Sequence, residues 1–293
     1  MKILVLGAGG MLGHKMAQQL HSAFPGQVFG STRKPKSAYE NFDFLPQSQF
    51  LDNLDVSPFS HLEAALDRLQ PKWLVNCVGI TLRKPEYGNE PSCFEVNAML
   101  PHRLALWARK NDAKVIHFST DCVFDGLTQT PYKDYDQPTA EGLYGVSKFL
   151  GEIAGPHSLT LRLSIIGREL ENGSELVEWF LNQRGSSIKG FANTIYSGLS
   201  TPVVSREVER IIKNFPEMTG LYQVASQPIS KYDLLHLLRE HFDINVDIKR
   251  DETHISNKSL DFTRYSQATG FQPPSWDEMV RELAHEREAV PAQ

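Results

Sequence analysis

An α/β architecture, a doubly wound parallel sheet with a smaller C-terminal α/β lobe, follows from three features of this 293-residue sequence. Short, wholly apolar runs such as Ile3-Leu4-Val5-Leu6 and Trp73-Leu74-Val75 read as strands buried on both faces. Segments with apolar residues at helical spacing lie between such runs, so strand and helix alternate through the first half of the chain. A cluster of glycines follows the first strand directly, at the end where open α/β sheets hold their ligands.

That opening stretch, MKILVLGAGGMLGHKM, organises the rest. Apolar positions at Met11, Leu12, Met16 and Leu20 start a helix straight after Gly7-Ala8-Gly9-Gly10. Gly7 suits a sharp turn, Gly10 suits close approach of backbone to a pyrophosphate, and Gly13 lets the helix pack tightly on the strand. The helix N-terminus offers unpaired N–H groups to an anion. Gly7, Gly9, Gly10, Met11, Leu12 and Gly13 are therefore the candidate phosphate cradle of a dinucleotide site.

A second strand is expected at residues 27–31, whose end meets the adenosine ribose in such folds. No acidic residue stands there to bind a 2′-hydroxyl. Ser31, Thr32, Arg33 and Lys34 offer hydroxyls and cations suited to a 2′-phosphate, so NADPH is the expected cofactor and NADH the alternative. Asp55 and Val56 precede a helix over residues 57–69. The strand at 73–76 runs into Cys77, Val78 and Gly79, and a long helix over 91–110 carries Asn97. With Tyr144 and Lys148 farther along the chain, these six residues complete the candidate cofactor contacts. A strand at 114–118 then delivers Ser119-Thr120-Asp121 at its carboxyl end.

Residues 130–141 read as a polar loop, 143–154 as a helix and 159–163 as a further strand. Beyond residue 170 the alternation loosens. Helices are expected over 176–183, 206–214, 231–241 and 276–288, with extended pieces near 221–224 and 246–248. The division expected is a dinucleotide-binding domain at 1–170, to which later segments return, and a mainly substrate-binding lobe at 171–293.

Tyr144 and Lys148 stand four apart, on one face of a helix. A lysine ammonium beside a phenol favours the phenolate and tunes the tyrosine as a proton donor to a carbonyl that receives hydride. Thr120 supplies a second hydroxyl to orient that oxygen.

Gly7-x-x-Gly10-x-x-Gly13, Ser119-Thr120-Asp121-Cys122-Val123-Phe124-Asp125-Gly126 and Tyr144-Gly-Val-Ser-Lys148 together resemble the extended short-chain dehydrogenase/reductases, whose nucleotide fold is of the Rossmann type. Within them the chain is similar to the dTDP-4-dehydrorhamnose reductase family over nearly its whole length. The resemblance implies a catalytic set of Thr120, Tyr144 and Lys148, with Asp121 as the acidic residue beside the threonine. It also implies a C-terminal lobe that holds a nucleotide-diphosphate sugar, with Arg162, Lys189, Tyr196 and Lys258 as candidate substrate contacts. Two positions depart from the family pattern. Cys122 stands where an aromatic is usual, and Arg162-Leu-Ser-Ile-Ile-Gly167 lacks the usual Trp and Tyr. The implied reaction is reduction of the 4-keto group of a nucleotide-linked 4-keto-6-deoxy sugar. The alternatives are an epimerase or dehydratase of the same superfamily and a non-catalytic NADP-binding regulatory subunit.

Composition narrows the field further. Hydrophobic residues make up 41% and charged residues 22%, enough for a sizeable core. A net charge of −5 with no basic stripe argues against a nucleic-acid partner. Three cysteines without metal-type spacing suit free thiols in a reducing compartment, and no metal site is expected. With no leader peptide and no apolar run of membrane-spanning length, the expectation is a cytoplasmic monomer or homodimer without membrane contact. The sequons at Asn172 and Asn257 then count as chance matches.

Overall fold

A computed structural model describes residues 1–83, 85–171 and 173–286. In chain order the elements are β1 (Ile3–Leu6), α1 (Met11–Ala23), β2 (Val28–Ser31), β3 (Phe50–Leu51), α2 (Phe59–Leu69) and β4 (Trp73–Asn76). There follow α3 (Glu90–Cys93), a π-helical stretch (Phe94–Met99), α4 (Leu100–Lys110), β5 (Lys114–Thr120), α5 (Leu143–Leu150), β6 (Ser158–Leu163), β7 (Ile165–Ile166) and α6 (Leu176–Leu181). The last third holds β8 (Ser187–Phe191), β9 (Thr194–Tyr196), β10 (Leu199–Ser200), α7 (Thr201–Asn214), β11 (Gly220–Gln223) and β12 (Ile229–Ser230). It ends with α8 (Lys231–His241), β13 (Asp247–Asp251), β14 (Ser256–Asn257), α9 (Thr263–Thr269) and α10 (Trp276–His285).

The chain forms two compact units whose segments interleave: 1–119, 142–161 and 204–221 in the first, 120–141, 162–203 and 222–286 of the described residues in the second. A single boundary near residue 170 therefore does not describe the packing. Residues 120–141 and 162–170 leave the nucleotide-type unit early, and most of α7 returns to it.

The first unit is built on a seven-stranded sheet in the order β11-β6-β5-β4-β1-β2-β3. β1 pairs in parallel with both β2 and β4, β2 with β3, and β4 with β5. The chain moves outward from β1 through β2 to β3, then restarts on the other side of β1 with β4. The crevice where ligands gather in doubly wound sheets thus lies beyond the carboxyl ends of β1 and β4. Those ends carry Gly7 and Cys77-Val78. Leu4, Leu6, Leu62, Leu66, Leu74, Leu104, Trp107 and Val115 form a buried core between this sheet and the helices α2 and α4. Wholly buried strands of this kind explain why β1 and β4 read as unbroken apolar runs.

The helix expected over 91–110 is continuous but changes pitch. Pro101 has no N–H to give the carbonyl of Asn97, so the ladder widens into the π-helical stretch before α4 resumes. α5 is shorter than expected, ending at Leu150 instead of 154. A Cβ on Gly151 would lie 1.9 Å from the Asn97 carbonyl oxygen, so glycine is required there and the chain turns away.

In the second unit β7 and β10 pair in parallel, β12-β9-β14 form a small mixed sheet, and β8 pairs in parallel with β13. Val123, Phe124, Tyr132, Ala225 and Leu260 make a buried cluster against Phe262. Ser230 caps α8, and Ser275 with Glu278 closes a reciprocal box at the start of α10. α10 ends at His285. Residues 287 and 288 of the expected helix lie outside the described residues, as does the sequon asparagine Asn172. In the other sequon, the Asn257 side-chain oxygen accepts from both the N–H and the hydroxyl of Ser259. Among the described residues no helix is long and apolar enough to cross a membrane.

Candidate active site

In the first unit the glycine turn does what its spacing suggests. Gly7 has φ +74, a left-handed conformation, and its missing side chain leaves room for Val78, whose Cγ2 would lie 3.0 Å from a Cβ there. A Cβ on Gly13 would lie 2.0 Å from the Gly7 carbonyl oxygen, so the close packing of α1 on the turn requires glycine. Gly10 differs from both. It is the N-cap of α1 with φ −84 and ψ 170, and a Cβ there would meet only the Gly7 oxygen, at 3.4 Å. The cap uses no side chain, and Met11 and Leu12 open the helix behind it. An exposed N-cap with space above it, at the switch point of the sheet, fits a pyrophosphate. Gly9 lies under Tyr39, whose hydroxyl oxygen would sit 2.3 Å from a Cβ at that position.

At the end of β2 the two hydroxyls turn inward, contrary to the expectation that they face a 2′-phosphate. The Ser31 hydroxyl accepts the Gly7 N–H at 3.2 Å and Thr32 donates to the Lys34 carbonyl at 2.9 Å. Both are buried, because the turn after β1 needs partners from its neighbouring strand. Arg33 is exposed and pairs with Glu86 at 2.8 Å. Asp55 accepts the Ser57 N–H at 3.0 Å, ahead of α2, and Val56 packs into the core.

Cys77, Val78 and Gly79 follow β4 beside the glycine turn. Asn97 reaches back from the π-helical stretch. Its oxygen accepts the Ile80 N–H at 2.8 Å, and its amide donates to the Ile80 carbonyl at 2.9 Å and the Ser147 hydroxyl at 3.1 Å. It is a buried clamp joining the β4 loop to α5.

α5 carries Tyr144, half-buried, and Lys148, which is 5% exposed. The lysine amine donates to the Phe118 carbonyl at 2.6 Å and lies 3.4 Å from His117 Nε2. Burial pulls its pKa down to about 8, and Glu152 acts weakly in the other direction. Glu152 accepts the Ser119 hydroxyl at 2.6 Å. His117, Asn76 and Ser147 were not among the residues singled out from sequence. The only signal for them is polarity inside otherwise apolar strands and on the buried face of a helix.

The second unit gathers Thr120, Asp121, Tyr196 and Lys258. Thr120 donates to Asp121 at 3.1 Å and accepts the Cys122 N–H at 3.1 Å. Burial raises the Asp121 carboxyl above its ordinary range, an effect the charge of Lys258 and hydrogen bonds from Thr120, Cys122 and Ser164 oppose. The Tyr196 phenol is pushed upward by burial and by Asp121. Its ring sits 5.4 Å from that of Trp276.

Arg162 and Lys189 are placed elsewhere. Arg162 is buried and stacks over Phe124 at 5.0 Å, with Phe124 itself stacked on Tyr132 at 3.9 Å. Lys189 is on β8 and bonds Asp251 on β13 at 2.9 Å. A core cation–π stack engages Arg162 and a cross-strand ion pair engages Lys189, two of the candidate substrate contacts.

The family model described as the RmlD substrate binding domain matches residues 1–288. The spore coat polysaccharide biosynthesis protein SpsK of Bacillus subtilis is 25% identical, over 99% of each chain. A dTDP-4-dehydrorhamnose reductase of Aggregatibacter actinomycetemcomitans is also 25% identical, over 96% of this chain and 98% of its own. Among solved structures, the dTDP-4-dehydrorhamnose reductase of Bacillus anthracis in complex with NADP matches with a TM-score of 0.81 and 18% identity. That match spans 98% of this chain and 99% of the other, a likeness of fold.

Proposed function

We propose a function for a chain that belongs to the RmlD substrate binding domain family: NADPH-dependent reduction of the 4-keto group of a nucleotide-linked 4-keto-6-deoxy sugar, for polysaccharide or deoxysugar synthesis. The observation that carries it is the pairing, in one unit, of the open Gly10 cap with the Tyr144–Lys148 helix face. The names of the full-length relatives, a dTDP-sugar reductase and a polysaccharide biosynthesis protein, support the substrate class.

Gly7, Gly10, Gly13 and the first N–H groups of α1 would hold the cofactor's pyrophosphate, with Arg33 at the 2′-phosphate. When bound, NADPH supplies the hydride that becomes the new C–H bond at the sugar's carbonyl carbon. Tyr144 gives its phenolic proton to the carbonyl oxygen, completing the alcohol, and takes a proton back from solvent. Lys148, held by the Phe118 carbonyl, supports the phenol electrostatically. Thr120 supplies the second hydroxyl by turning its one proton from Asp121 to the carbonyl oxygen, while its own oxygen keeps the Cys122 N–H. Tyr196 and Lys258, close to Asp121, are the stronger substrate candidates of the second unit, and Arg162 the weakest. The chain works as a monomer or homodimer, and the free thiols Cys77, Cys93 and Cys122 fit a reducing, cytoplasmic setting.

A free sugar would use little binding surface, whereas the nucleotide diphosphate supplies remote binding energy to orient the ketone. The test is absorbance loss of NADPH against UDP-, dTDP- and GDP-linked 4-keto-6-deoxyhexoses made in situ, beside the unlinked sugar. Turnover with a nucleotide-linked member and almost none with the free sugar is expected. If all are inert while NADPH still binds, the proposal fails in favour of a binding-only role.

A further inference from the structure

Behind Lys148 lies a buried polar chain that the reaction as written does not use. Asn76 ends β4, His117 sits in β5, and Lys148 is on α5; they are 1%, 0% and 5% exposed. The Asn76 side-chain oxygen accepts the Val78 N–H at 3.2 Å, which fixes the orientation of the amide. Its NH₂ therefore faces His117 Nδ1, at 3.1 Å. An amide NH₂ only donates, so Nδ1 must carry the lone pair, and in a neutral imidazole the proton is then on Nε2. That Nε2–H points at the Lys148 nitrogen, 3.4 Å away. An ammonium there would set one donor against another.

We propose that Asn76 and His117 are positioning residues for Lys148: Asn76 fixes the imidazole tautomer, and His117 presents to the lysine an N–H that opposes the ammonium and so lowers the pH at which Lys148 gives up its proton. One of the amine's own N–H bonds goes to the Phe118 carbonyl. The arrangement sets the pH at which the lysine takes up its proton, because protonation removes the acceptor that His117 needs. Burial keeps His117 itself neutral, far below its ordinary range, helped by Lys148 and by His102 on α4. The other charged or titratable neighbours of Lys148 are Glu152, just past the end of α5, and Tyr144, one turn earlier on the same face. Glu152 favours the ammonium, and desolvation opposes it more strongly. The tautomer claim stands on hydrogen bonding alone; its catalytic consequence rests on the reductase reading.

Asn76→Asp is the informative variant. One carboxylate oxygen can keep the Val78 N–H, while the other demands an N–H from Nδ1. The imidazole proton must then move to Nδ1, leaving a lone pair on Nε2 to accept from a lysine ammonium. In ¹⁵N-histidine spectra the wild-type His117 should carry its proton on Nε2 and the variant on Nδ1. The ¹³Cε resonance of Lys148, assigned by its loss in Lys148→Met, should titrate at least one pH unit higher in the variant. The basic limb of kcat/KM for NADPH-dependent reduction should move with it, with kcat changing more than KM. A wild-type His117 protonated on Nδ1 overturns the inference whether or not any variant folds. So does a folded Asn76→Asp protein whose Lys148 midpoint is unmoved. Correct spectra with no reductase turnover would leave this inference standing and overturn the function instead.

Discussion

Gly10 and Gly13 sit three residues apart in one motif, yet alanine should affect them in different ways. At Gly13 the added Cβ lies 2.0 Å from the Gly7 carbonyl oxygen, 2.7 Å from its carbon and 3.0 Å from Ala8 Cα, all backbone atoms. Ordinary contact needs over an ångström more, so α1 or the turn must shift. Overpacking costs about 1–3 kcal/mol, about 2–3 for an overlap this deep against backbone, while helix propensity returns about 1 kcal/mol for alanine over glycine. A net loss of about 1–2 kcal/mol is expected for Gly13→Ala. At Gly10 the backbone already has an alanine-compatible φ of −84, and the Cβ meets only one oxygen at 3.4 Å. Gly10→Ala should be close to neutral, the loss of unfolded-state freedom offsetting alanine's poorer fit at an N-cap. Its Cβ would nevertheless stand where the pyrophosphate must come, and a tenfold or greater loss of NADPH affinity is expected, about 1.4 kcal/mol. Urea titrations give the stabilities and nucleotide fluorescence gives the affinities. A stable Gly10→Ala protein that binds NADPH within twofold of the wild type would refute the placement of the phosphates. A Gly13→Ala protein of full stability would refute the packing role.

Tyr144→Phe should keep cofactor affinity and lower kcat by about 10²–10⁴-fold, the usual worth of general acid catalysis; near-normal turnover in stopped-flow assays would mean another group gives the proton. Arg33 is an exposed cation at the end of β2, as is Lys34, so Arg33→Ala should narrow the preference for NADPH over NADH in parallel fluorescence titrations, and Glu86→Gln should tighten NADPH. His14 is buried, donates its Nδ1–H to the Gly10 carbonyl at 2.9 Å, and has its pKa pulled down to about 4 by burial. Its folded value lies below the unfolded one, so the unfolded chain takes up the proton first. Stability is full above about pH 6.5 and falls as pH drops toward 4, by about 3 kcal/mol from this residue alone, and His14→Gln should flatten that slope in urea titrations.

The sequence made some elements legible and hid others for identifiable reasons. β4 and α8 have the bounds expected, because an unbroken apolar run and a capped amphipathic helix each carry their own punctuation. β8, β9 and β14 have no counterpart among the elements expected from the sequence. They are two to five residues long, and β8 finds its partner β13 some sixty positions away, so no local pattern announces it. The start of α7 at Thr201, five residues before the expected 206, is hidden by Pro202, which the first turn of a helix tolerates. At the site, the glycine turn and the Tyr144–Lys148 pair were readable because their spacing is itself the chemistry. For Arg162 the sequence shows a charge but not the Phe124 ring beneath it. For Ser31 and Thr32 the sequence shows hydroxyls but not the neighbouring backbone groups they bond. His117 and Asn76 were missed because a lone polar residue in a buried strand looks the same whether it fills space or orients a catalytic lysine.

The reductase reading stands or falls on where one hydrogen goes. NADPH carrying deuterium at nicotinamide C4, mixed with enzyme and a nucleotide-linked 4-keto-6-deoxyhexose, should yield one NADP per sugar reduced. The product should carry deuterium bound to sugar C4, visible by NMR and mass spectrometry. Turnover of the sugar with no net NADP formed and no deuterium at C4 would contradict it, and would mark an epimerase or dehydratase that returns its hydride to the substrate.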